Sequence, residues 1–341
     1  MKKNDLIKLG LIIQGPILTY GQGGNNSING FDSTNIINEN IQNFSPLVEK
    51  IVFSTWLDSK FKLSNNFYNN VFIIESPMPC QSDPDNRKKQ FYSTFAGIRF
   101  LQMNSDVTHV LKIRTDQLIP VTIIKWLFDI FTDKGLKNDF KIENKIVFSE
   151  FIKSEYFYVG DFIFAGEINK VLEFININLA YKANLHPSIG VDYFLKYLSV
   201  NDSIFFNRLF HNNLPLIIQV SMKKNEIIKN YWLSQLIDKC IFIPRTIANE
   251  IIWRGKKMEN LNFENFCYFE DWQDLYVKNS NLTITIKSVS FLSIILMEKA
   301  VFRKILYEYK RYYLLRFKFT FPRFISIHKK FFKKPFTVKN F

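Results

Sequence analysis

Three carboxylates and two arginines are the residues of this sequence whose types and positions could do chemistry together. They are Asp116, Asp161, Asp192, Arg87 and Arg114. Carboxylates can hold a divalent metal that stabilises a departing diphosphate, and one of them can act as the base for an attacking hydroxyl. Guanidinium groups offset phosphate charge through paired hydrogen bonds. These residue types are the ones that group transfer from a nucleotide-activated donor requires.

Asp116 is informative because it directly follows a predicted strand. Apolar residues alternate over 107–113, and the charged triplet Arg114-Thr115-Asp116 comes next. A carboxylate just past such a strand lies in the crevice where open α/β sheets bind ligands. Taken singly, each of these residues has a simpler interpretation. The triplet could be a solvated turn and Asp161 a turn residue. Asp192 could be a negative charge in the first turn of a helix, where the helix dipole favours it.

The apolar patterns predict the elements that would gather these side chains. Strands are expected at 9–13, 50–53, 71–74, 107–113 and 145–148. Helical patterns lie between them: one capped by Thr34, one starting at Asp83-Pro84, and one at 123–131. Alternating strands and helices predict an α/β fold with a mostly parallel, Rossmann-like sheet flanked by helices.

Composition excludes several classes of protein. Three scattered cysteines are not a disulfide framework, and four histidines without HxxxH or HxH spacing argue against a zinc enzyme. No run approaches the roughly 18 apolar residues of a spanning helix. The apolar run near the N-terminus is interrupted by Lys8 and Gln14, so we expect a first strand there and not a signal peptide.

The glycine-rich residues 21–30 match neither a P-loop nor the GxGxxG fingerprint, and they are interpreted as a flexible loop near the mouth of the site. The expected organisation is a transferase domain at 5–250, a small extension at 251–297 and a tail at 298–341. The tail carries 13 of the 45 basic residues against 2 glutamates, and therefore +11 of the net charge of +14.

Aromatic and basic residues interleave along this tail. Its first part places apolar and aromatic residues on one helical stripe opposite lysines and arginines, and phenylalanines alternate with basic residues farther on. This is the composition of an interfacial membrane anchor, in which aromatics enter the headgroup region and cations meet anionic lipid. Single-stranded nucleic acid is the competing partner, but no nucleic-acid motif accompanies the pattern. We therefore expect residues 299–341 to bind an anionic membrane surface and no nucleic acid.

Five short motifs, in register over about residues 9–200, carry a resemblance to a known family. The motifs are Ile13-Gln14-Gly15-Pro16-Ile17; Ser54-Thr55-Trp56; Asn86-Arg87 followed by Gln90, Ser93-Thr94 and Gly97; Leu111-Lys112-Ile113-Arg114-Thr115-Asp116; and Gly160-Asp161-Phe162 followed by Gly166. In this order they resemble the WavE family of lipopolysaccharide-synthesis proteins. The resemblance implies a GT-A-type glycosyltransferase fold, to which composition adds the basic-aromatic helical tail at 298–341.

The resemblance also implies residue roles. Donor-binding residues would be Gln14, Gly15, Pro16, Arg87, Gln90, Arg114 and Asp116. Asp116 would take the place of the metal-binding DxD motif and hold Mg²⁺ or Mn²⁺, although its triplet has a single carboxylate and a metal-independent reaction stays open. Asp192 and Asp161 would be catalytic, with Asp192 as the base.

The implied function is transfer of a sugar from a nucleotide-sugar donor to a lipid-linked glycan, a lipopolysaccharide, lipooligosaccharide or capsule acceptor. Such an enzyme would be cytoplasmic and peripheral to the inner membrane of a bacterium. Two alternatives stay open. The chain could transfer a non-sugar group such as a phosphopolyol from a nucleotide-activated donor, or it could be a non-catalytic, membrane-bound scaffold of polysaccharide assembly.

Deletion of residues 299–341 should release the protein from anionic vesicles while the rest of the chain stays folded, because the tail is too charged to form core. Vesicle binding by the full chain should fall steeply with salt, since surface charges are screened beyond about 8 Å at physiological ionic strength. Co-sedimentation measures both effects.

A full-length variant with Lys329, Lys330, Lys333 and Lys334 changed to Gln is the matched control, and we expect its binding to be intermediate. Equal co-sedimentation of the truncated and full-length proteins would show that the tail is no anchor.

Overall fold

A seven-stranded sheet lies at the centre of the part of the chain that the computed structural model describes, residues 7–19, 30–57, 69–79, 87–133, 140–152, 158–180, 226–261 and 265–279. Numbered within these residues, the strands are β1 (Leu9–Gln14), β2 (Leu18–Thr19), β3 (Phe31–Asp32), β4 (Lys50–Trp56), β5 (Val71–Ser76), β6 (His109–Arg114), β7 (Gln117–Leu118), β8 (Ile146–Phe148), β9 (Phe151–Ile152), β10 (Phe164–Glu167), β11 (Cys240–Phe242), β12 (Ile252–Trp253), β13 (Lys256–Lys257) and β14 (Phe266–Cys267). The helices are α1 (Thr34–Phe44), α2 (Arg87–Asn104), α3 (Thr122–Thr132), α4 (Ile168–Ala180), α5 (Glu226–Lys239), α6 (Arg245–Glu250) and α7 (Phe269–Asn279).

The strands of the central sheet run in the order β11-β8-β10-β6-β1-β4-β5. Strands β6, β1, β4 and β5 pair in parallel, and β11 is parallel to β8. Among these described strands β10 alone is antiparallel to both of its neighbours. The prediction of an α/β fold with a mostly parallel sheet flanked by helices is therefore confirmed.

The five predicted strands are all present, but the parallel ones continue into polar residues. Strand β1 includes Gln14, β4 continues through Ser54 to Trp56, and β5 ends at Ser76. The apolar pattern stops earlier because these strands end in polar residues, and a polar side chain can be buried when it finds a hydrogen-bond partner. Ser54 Oγ, for example, donates to the carbonyl of Ser93 at 2.7 Å in the buried contact between β4 and α2.

Helices cover both faces of the sheet. On one face α2 and α4 pack together through the rings of Phe91 and Phe174, whose centroids are 5.7 Å apart, and both rings contact Phe164 of β10. Side chains alternate along a strand, so His109 points to the opposite face from Lys112. There the His109 ring lies 4.7 Å from Phe131 of α3.

Helix α2 approaches β1 closely because glycine stands at the contact on each side. A Cβ on Gly97 would lie 2.9 Å from Cγ2 of Ile12, and one on Gly10 would lie 2.9 Å from Cδ1 of Leu101. The backbones of α2 and β1 could not come so near with larger residues at these positions. This contact sets where the first turn of α2 meets the carboxyl edge of the sheet.

Two helix starts differ from the predictions or lie outside the described residues. Thr34 is the first residue of α1 and not its cap, and the Asp32 carboxylate accepts bonds from the Thr34 amide at 2.8 Å and from its hydroxyl at 2.6 Å. The Asp83-Pro84 start of α2 lies outside the described residues.

The predicted domain boundaries stay predictions, but the described part of 251–297 packs on the same core as the main domain. Trp272 of α7 is fully buried, and its Nε1 donates to the Leu236 carbonyl of α5 at 3.0 Å. Met258 and Cys267 belong to the same apolar cluster as β1 and β6.

Most of the glycine-rich stretch, Asp192 and the whole basic-aromatic tail lie outside the described residues. Within the described residues, no helix is both long and apolar enough to cross a membrane.

Asn40 of α1 holds the short strand β7 in place. Its Nδ2 donates to the Gln117 carbonyl at 2.6 Å, and its Oδ1 accepts from the Ile119 amide at 3.2 Å. Asn40→Ala would leave both buried backbone groups unpaired, so we expect the free energy of unfolding to fall by about 2–4 kcal/mol. Urea denaturation measures this change.

Asn35 is the matched control, because it is an exposed asparagine of the same helix. Asn35→Ala should alter the free energy of unfolding by no more than about 0.5 kcal/mol. Equal effects of the two substitutions would show that the Asn40 side chain does not support β7.

Candidate active site

The carboxyl edge of the sheet gathers polar side chains at the point where the strand order reverses. From β1 the chain proceeds to β4 and β5, and then crosses back to form β6 on the other side of β1. Open α/β sheets bind ligands at such switch points, outside the carboxyl ends of the strands. The candidate site is therefore built around the ends of β1 and β6.

The end of β1 is fixed between its two neighbours. The Gly15 amide donates to the Ser54 carbonyl at 3.1 Å, and the Thr115 amide donates to the Gln14 carbonyl at 3.0 Å. Thr115 Oγ1 also donates to the Pro16 carbonyl at 2.8 Å. A Cβ on Gly15, whose φ is +132°, would lie 2.8 Å from Thr115 Oγ1, so this position requires glycine. The predicted donor-binding segment Gln14–Pro16 thus lies beside the Arg114–Asp116 triplet.

Asp116 is the most strongly bound side chain of the edge. It is 1% exposed, and its Oδ1 and Oδ2 accept from Nε and Nη2 of Arg114, both at 3.0 Å. Oδ2 accepts two further bonds from a distant segment, one from Nε of Arg254 at 2.9 Å and one from Nε1 of Trp253 at 3.0 Å. The triplet is therefore not a solvated turn.

The cations determine the charge of Asp116. Burial by itself would raise the pKa of this carboxyl, but Arg114 and Arg254 outweigh burial and lower the pKa to about 2. Asp116 and Asp161 in turn raise the pKa of the Arg114 guanidinium against the effect of burial. Asp116 is an anion at every physiological pH, and it aligns two guanidinium groups.

The donor set at this edge fits a divalent metal poorly. A metal ion on Asp116 would lie against the two guanidinium groups that already bind this carboxylate, and their positive charges oppose its binding. No group of three or more His, Cys, Asp or Glu side chains that could hold a metal ion occurs in the described parts of the chain. The Mg²⁺ or Mn²⁺ site on Asp116 stays a prediction that the geometry of the described residues does not favour.

Asp161 reaches the same edge because β10 runs antiparallel to β6. The residues that precede β10 therefore lie beside the residues that follow β6. Asp161 Oδ2 is 3.9 Å from Nη1 of Arg114, and the Asp161 side chain is 31% exposed. Its backbone carbonyl accepts from Nε2 of Gln90 at 3.0 Å and from Nζ of Lys112 at 2.6 Å. Gln90 therefore positions Asp161.

Lys112 is a buried cation beneath the site that the sequence analysis did not single out. It is fully buried in the middle of β6, and its Nζ lies 4.6 Å from the centroid of the Phe164 ring. Burial lowers the pKa of Lys112 to about 7, with Asp161 partly opposing the shift. The signal for a buried lysine that the sequence offered was a single lysine within the otherwise apolar run Val110–Ile113.

Glu150 is a second buried titratable group that the sequence patterns did not reveal. It follows β8, and its carbonyl accepts from the Gly160 amide at 2.8 Å. A Cβ on Gly160 would overlap the Glu150 carboxyl group, so glycine makes room for it. Burial raises the pKa of Glu150 to about 8, and the negative charge of Asp161 adds to the shift.

The structure thus brings together six of the predicted site residues, Gln14, Gly15, Pro16, Arg114, Asp116 and Asp161, with Gln90 behind Asp161. Arg87 is the first residue of α2, but its side chain is not among those described. Asp192 lies outside the described residues. Trp253 and Arg254 were missed because 137 and 138 residues separate them from Asp116.

Comparison with known proteins identifies no family. No family model and no curated protein matches the chain. Similar solved structures include a cytidylyltransferase from Leptospira borgpetersenii, which has 12% identity and a TM-score of 0.35 over 83% of this chain and 99% of its own. They also include 4-diphosphocytidyl-2C-methyl-D-erythritol synthase from Anaerococcus prevotii, at 12% identity and a TM-score of 0.30 over 60% of this chain and 83% of that one.

A third is 2-C-methyl-D-erythritol 4-phosphate cytidylyltransferase from Francisella tularensis, at 10% identity and a TM-score of 0.32 over 58% of this chain and 86% of that one. At these values the similarities carry no argument about the activity of this chain.

Glu150 should make the stability of the protein depend on pH. Its pKa is about 8 in the folded protein and 4.5 ordinarily, so the folded state binds more protons between these values. The free energy of unfolding should therefore fall as pH rises from about 4.5 to about 8. Glu150→Gln should remove this contribution, and urea denaturation at pH 5, 6, 7 and 8 measures the difference.

Glu49 is exposed, and Glu49→Gln is the matched control for removal of a carboxylate that is not buried. A Glu150→Gln curve parallel to that of the unaltered protein would show that Glu150 is ionised in the folded state.

Lys112 has the opposite effect on stability at higher pH. Its pKa is lowered in the folded protein, so the unfolded state binds more protons between about pH 7 and pH 10.5. The free energy of unfolding should therefore rise with pH over this range.

Proposed function

We propose that this protein is a transferase that takes a group from a nucleotide-activated donor bound at the carboxyl edge of the sheet. The observation that carries the proposal is the pair of guanidinium groups, Arg114 and Arg254, that buried Asp116 aligns at the switch point between β1 and β6. Phosphate oxygens are the ligands that planar, paired guanidinium donors suit best.

The electrostatic arrangement supports an anionic ligand. The negative charge of Asp116 is behind the cations, with 1% of its side chain exposed, whereas 23% of Arg114 and 18% of Arg254 is exposed. A ligand that approaches this edge therefore meets the two guanidinium groups together with the partly exposed carboxylate of Asp161. Because Asp116 already orients them, they need little rearrangement when phosphate binds, which is the preorganisation that stabilises a leaving diphosphate.

Asp161 is the described carboxylate suited to act as the base. It is partly exposed beside Arg114, and two side chains, Lys112 and Gln90, hold its backbone. In the proposed step the acceptor hydroxyl gives its proton to a carboxylate as its oxygen bonds to the transferred group. The bond between that group and the donor phosphate breaks, and the phosphate departs against Arg114. Asp192 stays the other candidate base.

In its finer form the proposal is glycosyl transfer, which rests on the resemblance of the sequence motifs to the WavE family. The acceptor would then be a lipid-linked glycan of lipopolysaccharide, lipooligosaccharide or capsule, reached at the anionic inner-membrane surface through residues 299–341. Gln14–Pro16, beside Arg114, would contact the base or ribose. Transfer of a non-sugar group, such as a phosphopolyol, from the same kind of donor uses the same residues.

Thermal denaturation with a ligand panel tests the proposal, because a ligand that binds the native state raises Tm. The panel contains nucleoside mono- and diphosphates, nucleotide sugars and nucleotide-linked polyols, each with and without Mg²⁺ or Mn²⁺. We expect at least one nucleotide to raise Tm. A larger rise in Tm with a nucleotide sugar than with a nucleotide-linked polyol would indicate that the transferred group is a sugar, and the reverse would indicate a non-sugar group. If no ligand raises Tm, the alternative of a non-catalytic scaffold of polysaccharide assembly is favoured.

Replacement of the candidate bases tests the proposed step. With the donor found above, Asp161→Asn should lower kcat by roughly 10²–10⁴-fold and leave donor affinity nearly unchanged, since a base acts in the transition state. Asp192→Asn is the parallel variant, and the larger loss of kcat identifies the base. Asp129→Asn, on α3 and away from this edge, is the control. Unchanged turnover in both candidate variants would remove both carboxylates from the mechanism.

A further inference from the structure

Asp161 lies in a bulge between the end of β8 and the start of β10. Two contacts bound this bulge: the Ser149 amide donates to the Ile163 carbonyl at 3.1 Å, and Phe151 forms an isolated bridge with Val159. Residues 160–162, called here the Asp161 bulge, therefore lie opposite a single residue, Glu150. Extra residues of this kind interrupt strand pairing, and they are frequent next to active sites, where they redirect a side chain.

The Glu150 carboxyl group fills the space against this bulge. A Cβ on Gly160 would overlap both the carboxyl of Glu150 and the hydroxyl of Ser149, so glycine is required for this close approach. The Gly160 amide also donates to the Glu150 carbonyl at 2.8 Å. Because Glu150 is only 3% exposed, its carboxyl is packed against the backbone of the bulge and not hydrated.

The groups around this carboxyl favour its neutral form. Burial raises the pKa of Glu150 to about 8, and the Asp161 carboxylate on the bulge adds to the shift. Tyr268, just before α7, is the titratable group on the other side, and burial raises its pKa to about 12, so it is neutral. The nearby Arg245 guanidinium lies 5.0 Å from the Tyr268 ring centroid and pairs with Asp271 at 2.9 Å. Among the described ion pairs, none includes Glu150.

Two donors from other elements hold the bulge at its centre. Nε2 of Gln90 and Nζ of Lys112 donate to the Asp161 carbonyl at 3.0 and 2.6 Å. An amine keeps a donor whether or not it is charged, so neither bond is lost when Lys112 loses its proton. The state of Glu150 is therefore the contact of the bulge that depends most directly on a proton.

A negative charge on Glu150 would oppose this packing. A buried carboxylate needs water or a cation, and without either its burial is costly. Water can enter where Gly160 now lies only if the bulge moves. Asp161 is the next residue, so this movement would also displace the candidate base.

We propose that a proton on Glu150 keeps the Asp161 bulge in the position seen here, called the closed position, and that loss of this proton to solvent releases the bulge. Glu150 is then a positioning residue for Asp161. The inference rests on the proposed function for the use of Asp161 as a base, and it adds control of that base by a proton.

The pH dependence of opening has a definite sign. The closed position keeps a proton on Glu150 up to about pH 8, whereas an exposed glutamate loses it near pH 4.5. Opening therefore releases one proton between these values, and the opening constant rises with pH by at most about tenfold per unit. The closed position is thus most stable at low pH and is weakened as the pH rises towards 8.

Hydrogen–deuterium exchange of the full chain at pH 5, 6 and 7 tests the proposal, with each rate divided by the intrinsic rate at that pH. Below pH 7 Lys112 keeps its charge and does not obscure the effect. The Gly160 amide reports the bulge, and the β1 amides report global unfolding. The opening constant at Gly160 should exceed that of β1 and rise at least about tenfold from pH 5 to pH 7. In Glu150→Gln, which keeps the shape of the neutral acid, it should not change with pH.

Glu49→Gln is the matched control, because Glu49 is exposed at the amino edge of the sheet, where its amide donates to the Leu9 carbonyl. An equal change in the Glu49 and Glu150 variants would indicate a general charge effect and overturn the proposal. A pH-independent opening constant at Gly160 in the unaltered protein, or one equal to that of β1, would overturn it too. Should Glu150→Gln fail to fold, Gly160→Ala replaces it. Its methyl group should displace the bulge, so the Ser149 amide should exchange rapidly at every pH.

Turnover separates this inference from the proposed function. With a donor in hand, kcat should fall more steeply towards pH 8 in the unaltered protein than in Glu150→Gln, with KM for the donor nearly equal. Exchange at Gly160 that depends on Glu150, without any nucleotide-dependent turnover, would support the proton-held bulge and remove the transferase. Turnover with exchange that does not depend on Glu150 would overturn this inference and leave the transferase.

Discussion

Burial of the Asp116 carboxylate against Arg114 and Arg254 is the interaction on which the rest of the candidate site depends. A carboxylate at 1% exposure is stable as an anion only if cations and hydrogen-bond donors replace water, and two guanidinium groups and the Trp253 indole do so here. The same contacts join the end of β6 to the hairpin of β12 and β13. One buried charge therefore orients the cations of the edge and attaches a distant segment to it.

The direction of β10 determines what faces those cations. Were this strand parallel to β6, Asp161 would lie at the amino edge of the sheet, far from Arg114. Antiparallel pairing places it at the carboxyl edge, where Lys112 and Gln90 bind its carbonyl from below. A buried lysine donating to a backbone carbonyl is costly to the fold, as its lowered pKa shows, and it holds the Asp161 segment in one position.

The aromatic core supports this arrangement mechanically. Rings of Phe91, Phe164 and Phe174 fill the space between α2, α4 and the sheet, directly beside the Lys112 ammonium. Together with the close approach at Gly97, this packing fixes the first turn of α2, from which Gln90 reaches Asp161. Interiors this dense transmit small displacements, so the position of the carboxylate depends on the whole layer.

The sequence alone predicted five of the seven strands of the central sheet, its mostly parallel character and the placement of Arg114–Asp116 at a strand end, because apolar alternation and continuous apolar runs are local signals that burial imposes on a strand. It did not predict β10 or β11. It also pointed to Gln14–Pro16, Gln90 and Asp161 as parts of one site. It could not show that Asp116 is buried and accepts four hydrogen bonds. It also could not show that Lys112 and Glu150 are buried in the interior with shifted pKa values. Those properties depend on which segments meet. The contact of Asp116 with Trp253 and Arg254 joins residues 137 and 138 positions apart, and no local pattern encodes such a contact. Only the tertiary structure decides it, because burial and pairing are properties of the packed assembly of strands and not of any one of them.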